Sequence, residues 1–245
     1  IAFASLGMPE RSLKALVRDV SRAGGVTVLR GFPQGDSVRF KNRIAAIWND
    51  GSEAGARGID PRLFRAFDIE DAEHNLQDIL RALDEAGEAG AHLVALPECA
   101  YPAYYLKDEA PYSRPGVRPF EEVATLFAGQ AERYGYWLAA GMAVPHPSGR
   151  VTNSGLIFGP DGERRGQYDK SFLWHFDTNW FERGRSFPVW DAGFCRFGVL
   201  ICADGRQPEV ARSLAVNGAE VILDLTAWVS WGRDPAGLST TQCEY

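Results

Sequence analysis

Cysteine is scarce in this chain. There are four in 245 residues (Cys99, Cys195, Cys202 and Cys243), with no CxxC pair and no His/Cys spacing of the kind that holds zinc. That excludes a disulfide framework and a zinc module, points to a reducing compartment, and leaves at least one thiol for chemistry. No apolar run reaches the ~20 residues needed to cross a bilayer, and no leader peptide is visible. Positive charge is short as well: 26 Lys and Arg stand against 32 Asp and Glu, a formal net charge of −6. Without a basic stripe to neutralise phosphates, a general nucleic-acid binder is excluded. Internal repeats and low-complexity tracts are missing too. What remains is 45% hydrophobic and 24% charged, the balance of a globular protein with a real core, in one large domain or two small ones.

The first part reads as strand, helix, strand, helix. Ile1-Ala2-Phe3-Ala4 is a short apolar run, and Leu13, Leu16, Val17 and Val20 recur at helical spacing. Gly24-Gly25 ends that helix before the β-branched strand Val26-Thr27-Val28-Leu29. Phe40, Ile44 and Ile47 share one helical face and predict a second helix over 37–48, followed by a Gly-rich loop and a short helical turn over 60–67.

A new pattern begins at Glu70. Ala72, Leu76, Ile79, Leu80, Leu83 and Ala86 mark an amphipathic helix closed by Gly87 and Gly90. His92-Leu93-Val94-Ala95-Leu96 is a buried strand that runs into Pro97-Glu98. An aromatic loop over 101–119 leads to a helix at 120–134, then strands at 136–143, 153–158 and 164–168. A loop-rich stretch precedes a strand at 195–201, a helix at 208–217 and a strand at 221–225. Strands alternating with helices belong to the layered α/β class, where functional groups gather at strand ends. Glu98, Lys170 and Cys202 each stand just past a predicted strand.

Each of the three has two readings. Cys202 follows Phe197-Gly198-Val199-Leu200-Ile201 and precedes Ala203-Asp204-Gly205. A thiol there is held rigidly beside backbone N–H groups that lower its pKa and cradle an oxyanion, yet a thiol beside Ile and Leu is as readily plain core. Glu98 emerges at a sheet edge, where low-dielectric surroundings raise a carboxyl toward the range of a general base; a solvated loop glutamate is its ordinary alternative. Lys170, in Tyr168-Asp169-Lys170-Ser171-Phe172-Leu173-Trp174, offers a fixed positive charge to a developing oxyanion, or lies on the surface with its stem along the aromatics.

Taken together the three segments resemble the nitrilase superfamily of carbon–nitrogen hydrolases. The resemblance rests on Leu93-Val94-Ala95-Leu96-Pro97-Glu98 with Tyr101-Pro102, on Tyr168-Asp169-Lys170, and on Gly198-Val199-Leu200-Ile201-Cys202-Ala203-Asp204. It covers residues 70–245 and implies Glu98 as general base, Lys170 as oxyanion cation, Cys202 as nucleophile and the Ala203 N–H as second oxyanion donor. A further glutamate of the family falls nearest to Glu182. The implied reaction is hydrolysis of a small amide, nitrile or N-carbamoyl compound through a thioester, with no metal or organic cofactor. Tyr104, Trp174 and Trp228 are candidates to line the substrate pocket, or to serve as core and lid packing. The resemblance also implies a cytoplasmic location and a homodimer.

Residues 1–69 resemble a different family. Ser5-Leu6-Gly7-Met8-Pro9-Glu10-Arg11-Ser12-Leu13-Lys14, Val28-Leu29-Arg30-Gly31-Phe32 and Ile59-Asp60-Pro61-Arg62-Leu63-Phe64-Arg65-Ala66-Phe67 are similar to the TrbC family of F-type conjugative-transfer pilus assembly proteins. That likeness implies a periplasmic protein with a thioredoxin-like core. The expected fold is thus α/β: a partial thioredoxin-like βαβ segment over 1–69, then a nitrilase-type α-β-β-α sandwich over 70–245, truncated at both ends. The hydrolase part lacks the family's opening strand unless 63–69 substitutes for it. Both ends read as cut, and the expectation is a chain joining two partial reading frames. A pilus-assembly protein and an inactive chimeric fragment are the alternatives to an enzyme.

Overall fold

The computed structural model describes residue 69 and residues 72–104, 106, 110–174 and 177–226, together with strand backbone at 26–30, 33–34, 37–38 and 43–47. Twelve strands occur in this part of the chain. In order they are β1 (Val26–Arg30), β2 (Pro33–Gln34), β3 (Ser37–Val38), β4 (Arg43–Ile47), β5 (Leu93–Ala95), β6 (Trp137–Pro145), β7 (Val151–Phe158), β8 (Arg164–Asp169), β9 (Phe181–Glu182), β10 (Val189–Asp191), β11 (Arg196–Leu200) and β12 (Val221–Asp224). The helices are α1 (Ala72–Glu88), α2 (Phe120–Tyr134), the single turn α3 (Asp177–Trp180) and α4 (Pro208–Val216).

A large sheet runs in the order β1-β4-β5-β6-β7-β8, with β9 also pairing β7, and a small sheet runs β10-β11-β12. Alternation along the strands shows why the sheets stack as they do. Val94, Leu96, Leu138, Ala140, Leu156 and Phe158 join Leu76, Leu83, Val123 and Phe127 of α1 and α2 in one cluster. Their odd-register neighbours Leu93, Ala95, Ala139 and Ile157 meet Phe197, Val199, Val221 and Leu223 of the small sheet in another. On the far side of the small sheet, Leu200 and Ile222 pack against Val210 and Leu214 of α4. Period-2 alternation buries both faces of each sheet. The layers are α-β-β-α, as expected.

The two sheets approach closely at Gly155 of β7, where an added Cβ would lie 3.0 Å from both Val199 Cγ1 and Leu225 Cδ1. Gly141 of β6 serves the site directly. A Cβ at that position would overlap the carbonyl oxygen of Pro97, so only glycine lets the chain just after β5 lie against β6.

The helices at 72–88 and 120–134 and the strand before Pro97 form where the periodicity places them. The predicted helix over 37–48 does not: β3 and β4 occupy that stretch, and β4 pairs in parallel with β5 through Ile44↔Leu93, Ala45↔Val94 and Ala46↔Ala95. An open edge on β5 presents a row of unpaired backbone groups, and pairing with it overrides a short helical spacing. β4 thus supplies a parallel neighbour for β5, where the sequence reading has the opening strand missing unless 63–69 substitutes for it; residues 63–68 lie outside the described residues. β1 is formed as the sequence indicates and runs antiparallel to β4. The strand at 1–4, the helix around Leu13 to Val20, the loop over 51–58 and the turn over 60–67 also lie outside the described residues. β10 went unrecognised in the loop-rich stretch because three residues give no period to read.

Gly141→Ala is expected to lower the free energy of unfolding by about 1–3 kcal/mol, the usual cost of overpacking, as measured by urea denaturation. An unchanged midpoint would contradict the close approach of Pro97 to β6.

Candidate functional site

β5 and β6 are parallel, β6 and β7 antiparallel, and β7 and β8 antiparallel, so β5 and β8 point the same way. The residues just past their C-terminal ends meet at one edge of the large sheet. There the Lys170 ammonium donates to Glu98 Oε1 at 2.7 Å and to Asp177 Oδ2 at 2.6 Å, and all three side chains are shut off from solvent. The backbone fixes the lysine from both sides, with Lys170 N–H on the Asn153 carbonyl (2.8 Å) and Gly184 N–H on the Lys170 carbonyl (2.9 Å). Asn153 also donates its amide to Glu98 Oε1 at 2.7 Å. Burial alone pulls the Lys170 pKa down, but the negative charges beside it, Glu98 first and Asp177 after it, with a thiolate at Cys202 whenever one forms, outweigh it and hold the amine above the ordinary lysine value.

Asp177 extends the network. Its Oδ1 accepts from the Tyr104 hydroxyl at 3.1 Å and its Oδ2 from the Trp174 N–H at 3.0 Å. Burial, together with the charges of Glu98, Asp177 and Cys202, pushes the Tyr104 phenol well above its usual range, so it stays a donor.

Cys202 approaches from the small sheet. It sits just past β11 as the first residue of a 3-10 turn, Cys202–Arg206, with φ at +50°. A non-glycine residue in the left-handed region carries backbone strain of about 1–3 kcal/mol, and here its N–H is held by Asp224 Oδ1 at 3.0 Å. The Ala203 N–H follows in the first turn, where helical geometry supplies no intrahelical acceptor. Burial raises the Cys202 thiol pKa well above its usual value and the Glu98 charge raises it further, while Lys170 and the Thr226 hydroxyl pull it down. The sulfur thus lies in the field of both Glu98 and Lys170. At neutral pH it rests as a thiol.

Asp224 is itself perturbed. Burial, with the charges of Glu98 and Asp204 adding to it, pushes its carboxyl up to about 7 against the Cys202 N–H bond that favours ionisation. Asp204 lies at the same turn and accepts from Tyr168, Ser171, Phe172 and Ile201.

The structure joins Lys170 to Glu98 and, through Asp177, to Tyr104 and the Trp174 backbone, with Cys202 in the field of Glu98 and Lys170 and Ala203 next to it in the chain. It does not bring Glu182 to the lysine. That side chain lies at the end of β9, about one-third exposed, and accepts from Arg150 Nη1 at 3.4 Å and Ser148 Oγ at 3.3 Å. The acid beside Lys170 is Asp177, five residues earlier, which sequence reasoning passed over. Its signal was faint, an aspartate closing the aromatic run Phe172-Leu173-Trp174-His175-Phe176. Asp224, in the apolar string Val221-Ile222-Leu223-Asp224-Leu225, was equally readable as a misplaced charge. Trp228 lies outside the described residues. Among the described residues no cluster of His, Cys, Asp and Glu is arranged to hold a metal ion, and no helix is long and apolar enough to cross a membrane.

Residues 54–239 match the family model for carbon-nitrogen hydrolase, and residues 2–72 match that for a type-F conjugative transfer system pilin assembly protein. An omega-amidase NIT2-B of Xenopus laevis is 31% identical over 61% of this chain and 56% of its own length. A nitrilase of Pyrococcus abyssi is 35% identical over 63% of this chain and 59% of its own. The chain therefore spans a little over half the length of these relatives. Among solved structures, an amidase of Nesterenkonia sp. AN1 shares the fold with a TM-score of 0.63 at 22% identity, over 81% of this chain and 68% of that one. A second structure of that amidase, with acrylamide added at its active-site cysteine, gives 0.57 at 25% identity over 64% and 61% of the two chains.

Two outcomes follow from the geometry. Lys170→Met leaves Glu98 and Asp177 buried without their cation and is expected to cost about 3–5 kcal/mol of stability in urea denaturation; a loss below about 1 kcal/mol contradicts the buried pair. For Asp224, the folded pKa near 7 stands above the ordinary 3.8, so the folded state binds the extra proton. Its contribution is full below about pH 4 and declines as pH rises through 7. Asp224→Asn keeps an acceptor for the Cys202 N–H and should flatten the stability–pH profile across that window. A profile unchanged by the substitution rules out this assignment.

Proposed function

The chain belongs to the carbon–nitrogen hydrolase family, and on that footing we propose that it hydrolyses a small amide or nitrile through a thioester-type intermediate on Cys202. The observation that carries the reading is the sealed Glu98–Lys170 pair (2.7 Å) acting on a cysteine held at positive φ at a strand end. Because burial keeps Cys202 as a thiol, attack needs a base, and Glu98 takes that proton as the sulfur adds to the carbonyl carbon. The Lys170 ammonium and the Ala203 N–H hold the negative charge that develops on the carbonyl oxygen. As the C–N bond breaks, Glu98 returns its proton to the leaving nitrogen, so ammonia or an amine departs and an acyl-thioester remains. Water, deprotonated by Glu98, then releases the acid and restores the thiol. Every group required belongs to the chain, so the reaction calls for no metal or organic cofactor.

Asp177 holds Lys170 in place and, through Tyr104 and Trp174, ties the cation to the aromatic wall where we place the substrate. Among the described residues Cys99, Cys195 and Cys202 are free thiols, which fits a reducing cytoplasm. A homodimer is the assembly the family resemblance implies. We set the boundary between the two segments near residue 70, inside the 54–72 stretch that both family models share. The match over 2–72 supports a second reading for that segment alone, a part in pilus assembly, which conjugation complementation tests.

The test of the enzyme reading is ammonia release from short aliphatic amides and the matching nitriles, followed with intact-mass spectrometry. Cys202→Ala is expected to reduce turnover at least about 1000-fold, as removal of a nucleophile does. A quenched wild-type reaction is expected to show an acyl adduct on Cys202. If iodoacetamide labels Cys99, Cys195, Cys202 and Cys243 at one rate and no compound is turned over, the reading fails.

A further inference from the structure

We propose that Asp204 is a positioning residue that sets the separation between the Lys170 ammonium and the Cys202 sulfur, joining two catalytic groups that stand on different sheets. The proposal rests on the reading of Lys170 and Cys202 given above.

Lys170 follows β8 of the large sheet and Cys202 follows β11 of the small one, and among the described residues no hydrogen-bonded ladder links the two sheets. Apolar packing between them is non-directional, so it does not by itself fix an ammonium relative to a sulfur. Asp204 supplies directional links. Its carboxylate is fully buried and accepts five hydrogen bonds. Oδ1 takes the Ser171 N–H (3.2 Å), the Ser171 hydroxyl (2.9 Å) and the Phe172 N–H (2.7 Å). Oδ2 takes the Tyr168 hydroxyl (2.7 Å) and the Ile201 N–H (3.0 Å). Thus Oδ1 grips the two residues that follow Lys170, and Oδ2 grips the residue that precedes Cys202. The Asp204 N–H returns to the Ile201 carbonyl at 3.0 Å, which locks the carboxylate to its own turn. One acceptor-only group spans both catalytic segments.

The donor pattern explains why an amide cannot serve. Asparagine replaces one acceptor oxygen by a donor NH2. Placed at Oδ1, that group faces two backbone N–H donors, from Ser171 and Phe172. Placed at Oδ2, it faces only one, from Ile201, because the Tyr168 hydroxyl can turn and accept. The second orientation is the less costly. Asp204→Asn is therefore expected to release the Ile201–Cys202 side while the Lys170 side stays held.

The experiment compares Asp204→Asn and Tyr168→Phe with wild type in two assays. The first is steady-state amide hydrolysis. The second is the pH dependence of Cys202 alkylation by iodoacetamide, read by peptide mass spectrometry. A displacement near 1 Å costs about 100-fold in rate, so Asp204→Asn should lower kcat by about that factor with KM held within about threefold. Tyr168→Phe, which deletes one Oδ2 bond and keeps the ring, should lower kcat by about tenfold. In both variants the alkylation midpoint should move to higher pH, because Lys170 pulls the thiol down while burial, Glu98 and Asp224 push it up. A part in folding alone would leave that midpoint in place. The proposal is overturned if the variants keep the wild-type kcat and midpoint, or if activity falls only in step with the folded fraction at an unmoved midpoint. Should Asp204→Asn fail to fold, Tyr168→Phe decides the matter by the same two readouts. If wild type turns over no amide, the functional reading fails, and the alkylation midpoint alone still decides whether Asp204 sets the Lys170–Cys202 geometry.

Discussion

A single buried ammonium organises this site. Removing a charge from water costs several kcal/mol even after relaxation, and the Lys170 site removes three, because Glu98 and Asp177 accompany it into the interior. Such a cluster is tolerable only where its charges are met by hydrogen bonds. The Asn153 amide on Glu98 and the Tyr104 hydroxyl on Asp177 supply two of them. The fold around the cluster looks arranged to hold it: β5 and β8 point the same way, and β7 between β6 and β8 contributes Asn153 to both the Lys170 backbone and the Glu98 carboxylate. Exposed pairs of this kind are worth about 0–1 kcal/mol, and many of the chain's other ion pairs, such as Arg133–Asp84, are of that exposed sort. The Lys170 cluster differs in kind, since any member lost leaves the others stranded.

The proposed nucleophile is placed by other means. Cys202 comes from a sheet of three strands that meets the large sheet face to face through Phe197, Val199, Val221 and Leu223. The left-handed φ at Cys202 stores strain that the surrounding bonds must hold. Asp224 below the turn and Asp204 within it do so, each through a backbone N–H, of Cys202 and Ile201 respectively. Bringing the thiol from one sheet and the cation from another would, in the proposed reaction, set the reacting carbon between two rigid surfaces. It also makes the gap between sheets a catalytic dimension, and Gly155 helps keep that gap narrow by leaving room for Val199 and Leu225.

Much of this was legible in the residues. α1 and α2 are written in apolar spacing, and the strand ends carrying Glu98, Lys170 and Cys202 follow short β-rich runs that no helix competes for. The layers follow from alternation along β5, β6 and β7. What was not legible depended on partners. β4 is a strand because β5 has an edge to fill, and nothing within 37–48 announces that edge. Glu182 and Asp177 lie five positions apart on either side of Trp180, both acidic, both in aromatic company. Only the path of the chain after Lys170 decides which one turns inward. Asp204 reads as an ordinary acid beside a cysteine and Asp224 as a charge inside an apolar string, and their roles lie in backbone donors that a sequence does not display.

The balance of charge is why we propose a base-assisted thiol at this site and not a resting ion pair. Glu98, Asp177 and Asp204 are buried within the site, and among the described residues Lys170 is the one buried cation set against them. A thiolate at Cys202 adds one more negative charge to that company, and burial opposes it further. The thiol therefore keeps its proton until something accepts it at the moment of attack. In the proposed step Glu98 is that acceptor, and once it takes the proton its own charge disappears while the oxyanion's appears near Lys170. The cluster's net charge stays constant through the step. In a dry interior, where creating charge is expensive and moving it is not, a proton passed to Glu98 and a negative charge passed to Lys170 is the low-cost path. The same cation that holds the resting carboxylate then holds the transition state.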